Sequence, residues 1–423
     1  MIMTARNATV RLDVYVDGQL AGLLEQPSPR EYRFTYYKEG LPVSLTMPVR
    51  LTPYIAPYLF PVFQVSLPEG PLRAAIERDL LKRVHADGDM AVLSIVGAHL
   101  IGAISVVPEG ASPDQARDAV DFSSLMRHGG DPAFVADLLR RYAHQSGVSG
   151  GYPKILADGN PPQGTMVFPD WIIKIPDADH SGMVMNEFYS MQAAQKSGIE
   201  TADARLSDEG RLLLVRRFDR DEAGNRLAFE DMASLMGLPS SAKFSGSVER
   251  IVKTLVAFCD GSSRTTALEQ FFCQYALAMI LRNGDAHLKN FGVLYSPRGG
   301  GRDVRLAPCY DMVTMAAYAP ITPSGGTQDI PAIMWRNAKR WFKPRDFTQL
   351  GALCGIARID AHLYAIASGA HSAAQALADA MRDQPDNFET GTKMLLLWRD
   401  GLQQAGLLRE HEFPALDLLA LDR

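Results

Sequence analysis

The change of periodicity along the chain limits its fold more than any other property. In roughly the first half, short apolar runs recur at strand spacing. From about Phe244 onward helical spacing dominates, over residues 247–258, 266–281, 347–356, 361–367, 372–381 and 390–401. Apolar strands and amphipathic helices segregated in this way predict an α+β chain of two lobes with a cleft between them. The 423 residues allow one large or two ordinary domains, and 47% hydrophobic residues suffice for a real core. No internal repeat or low-complexity tract interrupts the pattern.

Residues 9–16 alternate polar and apolar, Asp17-Gly18 follows, and residues 19–24 resume the run, which predicts a β-hairpin. Residues 31–37 read as a further strand, 53–61 as irregular, and 71–84 as a helix with proline near its start. Residues 90–107 are uncharged and approach the length of a membrane span. Gly97, Gly102 and His99 interrupt them, so they read instead as a helix end, a tight turn and a buried strand. The polar, proline-bearing stretch 108–118 reads as a linker. A small α+β unit over residues 1–107, a second unit over 120–220 and a helical lobe over 221–423 are therefore expected. In the second unit, 131–144 and 185–198 read as helices, and 170–176 and the start of 211–220 as strands.

The chemistry concentrates in Asn283-Gly284-Asp285-Ala286-His287-Leu288-Lys289-Asn290, a loop between an apolar helix and a strand predicted at 291–295. Asp285 and Asn290 have four residues between them, and Asp311 follows in LAPCYD. An Asp-x4-Asn loop, a strand and a second Asp suit phosphoryl transfer. One carboxylate takes the proton of an attacking hydroxyl; an amide oxygen and the other carboxylate hold Mg²⁺ against phosphates. Lys174, alternating to the face opposite Ile173 and Ile175, suits an ATP phosphate contact or a solvated strand face, with Glu187 as a possible ionic partner. Ser146 to Lys154, SGVSGGYPK, holds three glycines that would let backbone N–H groups approach phosphate, although a plain surface loop has the same composition. Arg216, Arg217 and Phe218 leave a strand where a two-lobed kinase has its hinge, although a plain charged strand end reads the same way. His287 either orders the catalytic loop or joins Asp285 and Asp311 as ligands of a hydrolytic metal.

Composition narrows the classes. A net charge of −5 offers no electrostatic case for direct binding to DNA or to a membrane. Four scattered cysteines form no C-x-x-C pair, and the first ten residues lack an apolar core of the signal-peptide kind, so a reducing, cytoplasmic setting is expected.

Taken in order, these residues resemble the HipA family, serine/threonine kinase toxins of bacterial toxin–antitoxin systems. SGGYPK, WIIKIP, NEFYSMQAAQKSG, VRRFDR, NGDAHLKNFGV and LAPCYD carry the resemblance, which runs over nearly the whole chain. It implies Asp285 as catalytic base and Asn290 and Asp311 on Mg²⁺. It implies Gly151, Tyr152, Pro153, Lys154, Ile155, Leu156, Lys174, Arg216, Arg217 and Phe218 around ATP, with His287 beside them. It also implies autophosphorylation of a loop serine, Ser149 or alternatively Ser146, that switches the kinase off. The family's partners are a small helix-turn-helix antitoxin, through which alone it meets DNA, and a host protein that can be an aminoacyl-tRNA synthetase. A small-molecule kinase of the aminoglycoside or choline type shares the G-D-x-H-x-x-N loop, and a non-catalytic nucleotide-binding co-repressor is the third reading.

Overall fold

The computed structural model describes residues 10–79, 88–113, 121–129, 131, 133–134, 137–138, 164–167, 170–175, 180–221, 223–320, 328–383 and 388–414. Strands β1 (Val10–Val16) and β2 (Gln19–Ser28) form the expected hairpin. Asp17 and Gly18 both take positive φ, 50° and 74°, as a two-residue turn matched to strand twist requires. With β3 (Glu31–Tyr36), β4 (Tyr54–Ala56) and β5 (Ile104–Pro108) they make an antiparallel sheet of order β4-β3-β2-β1-β5. β4 lies in the stretch expected to be irregular; it is short and at the sheet edge, where pairing on one side tolerates neighbouring prolines. Helices α1 (Pro61–Gln64), α2 (Gly70–Asp79) and α3 (Asp89–Val96) follow the sheet's first four strands. The uncharged stretch at 90–107 is thus α3, a turn through Gly102 and β5, and no helix among the described residues is long and apolar enough to cross a membrane.

The next unit begins with α4 (Phe122–His128), opened by the Asp121 carboxylate accepting the Ser124 N–H at 3.0 Å. Most of the helix expected at 131–144 lies outside the described residues. Strands β6 (Gly164–Val167), β7 (Trp171–Ile175), β8 (Ala204–Leu206) and β9 (Leu213–Arg216) form a second antiparallel sheet of order β6-β7-β9-β8. β7 is therefore central, and its Lys174 is not an edge residue. Helix α5 (Met183–Lys196) connects β7 to β8 and ends where Gly198 turns left-handed.

The second lobe, expected as helical apart from the strand at 291–295, holds a small sheet of β10 (Ala228–Asp231), β11 (Gly292–Tyr295) and β12 (Arg305–Leu306). The rest of the lobe is α6 (Met232–Leu235) and α8 (Gly261–Ile280), which pack on this sheet, with α7 (Val248–Phe258), α9 (Pro344–Cys354), α10 (Ile359–Asp383) and α11 (Phe388–Ala405). The two helices expected at 361–367 and 372–381 are one continuous α10. Its Gly369 lies so close to Ser197, at the end of α5, that a Cβ there would collide with the serine backbone. Close approach to α5, not a helix break, is what this glycine provides.

One buried cluster runs from Leu12 and Phe34 in the first sheet, through Ile173 and Leu214 in the second, to Phe271, Tyr275 and Trp398 in the helices. Burying each such side chain contributes about 1.5–3 kcal/mol. The Trp398 indole N–H finds Thr314 Oγ1 at 2.6 Å, so the largest core side chain leaves no orphan donor.

Candidate active site

Helix α8 ends in a cascade of hydrogen bonds that shapes the Asp285 loop. Arg282 turns left-handed at φ 58°, and the Asn283 N–H reaches back to Ala278 O at 2.8 Å. Asn283 Oδ1 then accepts the Asp285 N–H at 3.1 Å. Asn290 Oδ1 accepts the His287 N–H at 3.2 Å, closing the short turn Leu288–Asn290 that leads into β11. The Tyr310 hydroxyl, next to Asp311, donates to Lys289 O at 2.8 Å and joins the two loops.

Asp285 stands on this turn with its side chain half-buried. Burial pushes its carboxyl up to about 6; the Lys243 ammonium opposes that, and the negative charges of Asp311, Glu69 and Asp329 add to it. A carboxylate held near 6 is ionised at neutral pH yet basic enough to take a proton. His287 is buried and its Nε2 lies 3.9 Å from Asp285 Oδ1. Burial, reinforced by Lys243, lowers its imidazole to about 4, so the ring is neutral. Its Nδ1 has no hydrogen-bond partner, and the ring packs edge-on to Phe244 at 5.2 Å. His287 therefore orders the loop through its backbone N–H, which Asn290 Oδ1 accepts.

Lys174 projects from β7 between two carboxylates. Its Nζ donates to Glu187 Oε1 on α5 at 2.5 Å and to Asp311 Oδ1. Burial works to lower the ammonium's pKa, but Asp311 and Glu187 outweigh it and hold it above the usual lysine range. Asp311 takes φ 53°, a left-handed conformation that costs a non-glycine residue about 1–3 kcal/mol. The surroundings enforce it: Asn186, adjacent to Glu187, clamps Thr314 by accepting its N–H at 2.8 Å and donating to its O at 3.0 Å.

These residues can hold a divalent cation. Asn290 and Asp311 offer the hard oxygens magnesium selects, and Lys174 lies on the Asp311 carboxylate. Among the described residues no three His, Cys, Asp or Glu side chains are grouped to ligate a metal. The alternative trio of Asp285, His287 and Asp311 as hydrolytic metal ligands is therefore not assembled.

Other sequence expectations fall differently. Ser146, Ser149, Gly151, Tyr152, Pro153, Lys154, Ile155 and Leu156 lie outside the described residues. Arg216 ends β9 with its side chain exposed. The Arg217 guanidinium is buried against Asp219 and donates to Leu100 O at 2.8 Å, so it faces the N-terminal unit. Phe218 stacks on Tyr310 with ring centroids 5.4 Å apart. Three residues of the cleft went unread. Lys243 and Glu69 come from segments without motif or periodicity, and Asp329 follows a glycine-bearing polar stretch that resembles any loop.

The profile of the HipA-like C-terminal domain matches residues 146–385, and that of the HipA N-terminal domain matches 12–107. The protein named "Putative kinase Y4mE" from Sinorhizobium fredii is 27% identical over 350 residues, covering 74% of this chain and 80% of its own length. "Putative kinase Y4dM" of the same organism is 27% identical over 278 residues, and the match spans 63% of its length. In structure, the HipA of Shewanella oneidensis MR-1, solved with HipB and operator DNA, superposes with a TM-score of 0.64. That match has 18% identity and covers 93% of this chain and 97% of that one, so the likeness is one of fold. With its N-terminal and C-terminal regions both matched, the chain belongs to the HipA family and has its two-lobed, kinase-like α+β fold.

Proposed function

We propose that the chain is an ATP- and Mg²⁺-dependent protein-serine/threonine kinase of the toxin type. The observation that carries this reading is Lys174 held between Glu187 and Asp311, with Asp311 in turn helping burial to push the Asp285 carboxyl up to about 6. In this reading Lys174 binds nucleotide phosphates, and Glu187 fixes the ammonium so that it can do so. Asn290 and Asp311 would hold the magnesium ion, which when bound neutralises phosphate charge. Asp285 accepts the proton of the acceptor hydroxyl at its carboxylate. The backbone of Arg216, Arg217 and Phe218 borders the adenine side, and Gly151, Tyr152, Pro153, Lys154, Ile155 and Leu156 cover the phosphates.

Family membership supports the finer parts. Ser149, or Ser146, is the autophosphorylated residue; a helix-turn-helix antitoxin neutralises the kinase and supplies the only link to DNA; the host target is a protein such as an aminoacyl-tRNA synthetase. The HipB and operator in the Shewanella complex support the antitoxin assignment.

Purified protein, labelled ATP and Mg²⁺ test the reading. Wild type transfers label to serine or threonine of itself and of a bacterial lysate protein, and Asp285→Asn loses about 10²–10⁴ of the rate. Equal labelling by the variant, or label found only on small hydroxylated metabolites, overturns it.

A further inference from the structure

Beside Lys174, a second ammonium is anchored at the Asp285 loop. The segment 243–246 is wound onto that loop: Lys243 O accepts the Leu288 N–H at 3.1 Å, and a Cβ on Gly246 would collide with the Leu288 side chain. Lys243 Nζ donates to Glu69 Oε2 at 2.8 Å and lies 5.3 Å from the centre of the Phe244 ring. Phe244 in turn packs on His287, whose Nε2 is 3.9 Å from Asp285 Oδ1. The Lys243 side chain keeps 21% of its surface open to solvent and makes no ion pair with Asp285. Of the charges that weigh most on the Asp285 carboxyl, Lys243 is the cation, and Asp311, Glu69 and Asp329 are acids. Base and ammonium thus act on each other without touching.

A base at Asp285 needs such a charge nearby. A phosphoryl group in transfer spreads negative charge over three equatorial oxygens, and it must approach the hydroxyl that a carboxylate is deprotonating. With no cation beside them the two negative groups repel. The other basic groups of the site are committed or neutral. Lys174 is shared by Glu187 and Asp311. Lys289, only 13% exposed, donates to Glu69 Oε1 and to Ser240 Oγ. The His287 ring is neutral. Lys243 uses one of its three N–H donors, on Glu69, and has two left for an incoming oxygen.

We propose that Lys243 is a catalytic residue whose ammonium donates to a non-bridging oxygen of the phosphoryl group in transfer, beside the hydroxyl that Asp285 deprotonates. The assignment rests on the reading of Asp285 as the base of a phosphoryl transfer. The acceptor oxygen bonds to the γ-phosphorus as the bond to the β,γ-bridging oxygen breaks, and that oxygen keeps the electron pair on ADP. The hydroxyl proton ends on Asp285, and Lys243 stays protonated throughout. Glu69 holds Lys243 as Glu187 holds Lys174: a carboxylate from a distant segment fixes a long, rotatable side chain before the charge it serves develops.

Lys243→Gln and Lys243→Arg test this. Lys289 stays on Glu69 in both, so the joint to the N-terminal unit is kept and the thermal midpoint moves little. Lys243→Gln lowers kcat by about 10²–10³ with KM for ATP almost unchanged, and Lys243→Arg recovers part of the rate. Calorimetry supplies a readout apart from turnover. Aluminium fluoride added to ADP and Mg²⁺ imitates the planar phosphoryl group, and wild type binds that complex more tightly than ADP and Mg²⁺ alone. Lys243→Gln loses most of this gain while its affinity for ADP stays that of wild type. Loss of the gain in the variant, in a wild type that phosphorylates no protein, keeps the Lys243 assignment and sinks the protein-kinase reading alone. An unchanged kcat and an unchanged gain in Lys243→Gln overturn the assignment, as does an equal loss of affinity with and without aluminium fluoride.

Discussion

Asp285 carries its charge against its surroundings, and its pH behaviour follows from that. Burial holds its carboxyl at about 6, above the usual carboxylate value. A base accepts a proton only when ionised, so kcat falls as pH drops through about 6 and levels off above it; a pH–rate profile reads this limb directly. The sign for stability is opposite. A carboxyl raised in the folded state favours the fold when protonated, so stability gains as pH falls through about 6, and Asp285→Asn melts no earlier than wild type at neutral pH. At this scale the sequence was legible where residue types sit at fixed spacing on one loop or strand, as for Asp285, Asn290 and Lys174. It was silent on Asp329, Lys243 and Glu69. Their neighbours are brought together only by folding, and no local spacing records a contact between residues 284 and 329.

Element boundaries were read well where pattern and cap agree. Ser247 opens α7 as expected, its Oγ accepting the Arg250 N–H at 3.3 Å. They were misread where a glycine served packing. The stretch around Gly369 looks like a helix break, because isolated glycine and histidine between helical runs weaken propensity. Tertiary contact overrides this: α10 runs straight through, and the missing side chain makes room for the end of α5. Gly369→Ala should therefore destabilise, by about 1–3 kcal/mol, although alanine is the better helix former. A lower thermal midpoint checks it, whereas a rise would mean that helix propensity governs the site. β4, β10 and β12 were poorly visible for a different reason, since two to four residues are too few to show a period, whereas β11 was read at 291–295.

Across the whole molecule, a carboxylate of the N-terminal unit reaches the catalytic loop. Glu69 Oε1 accepts from Lys289 at 2.6 Å and from Ser240 Oγ at 2.9 Å, and Oε2 accepts from Lys243 at 2.8 Å. Burial would raise its pKa, but the two ammoniums outweigh this and bring it down to about 2. Lys243 is also the main charge opposing the upward shift of Asp285. Glu69→Gln removes a negative neighbour of Asp285 and frees Lys243, so the acid limb of the pH–rate profile should move below that of wild type. An unmoved limb would show that the contact is structural only.

The joint at Arg217 bears on how such a chain can be recombined. Its guanidinium leans on Leu100 O, while Asp219 Oδ2 accepts the Gly102 N–H at 2.6 Å. Shuffling an unrelated module in front of the catalytic region would strand a desolvated cation and its companion acid at a bare surface. Any exchange that yields a working hybrid must carry the 100–102 turn along with the residues that grip it.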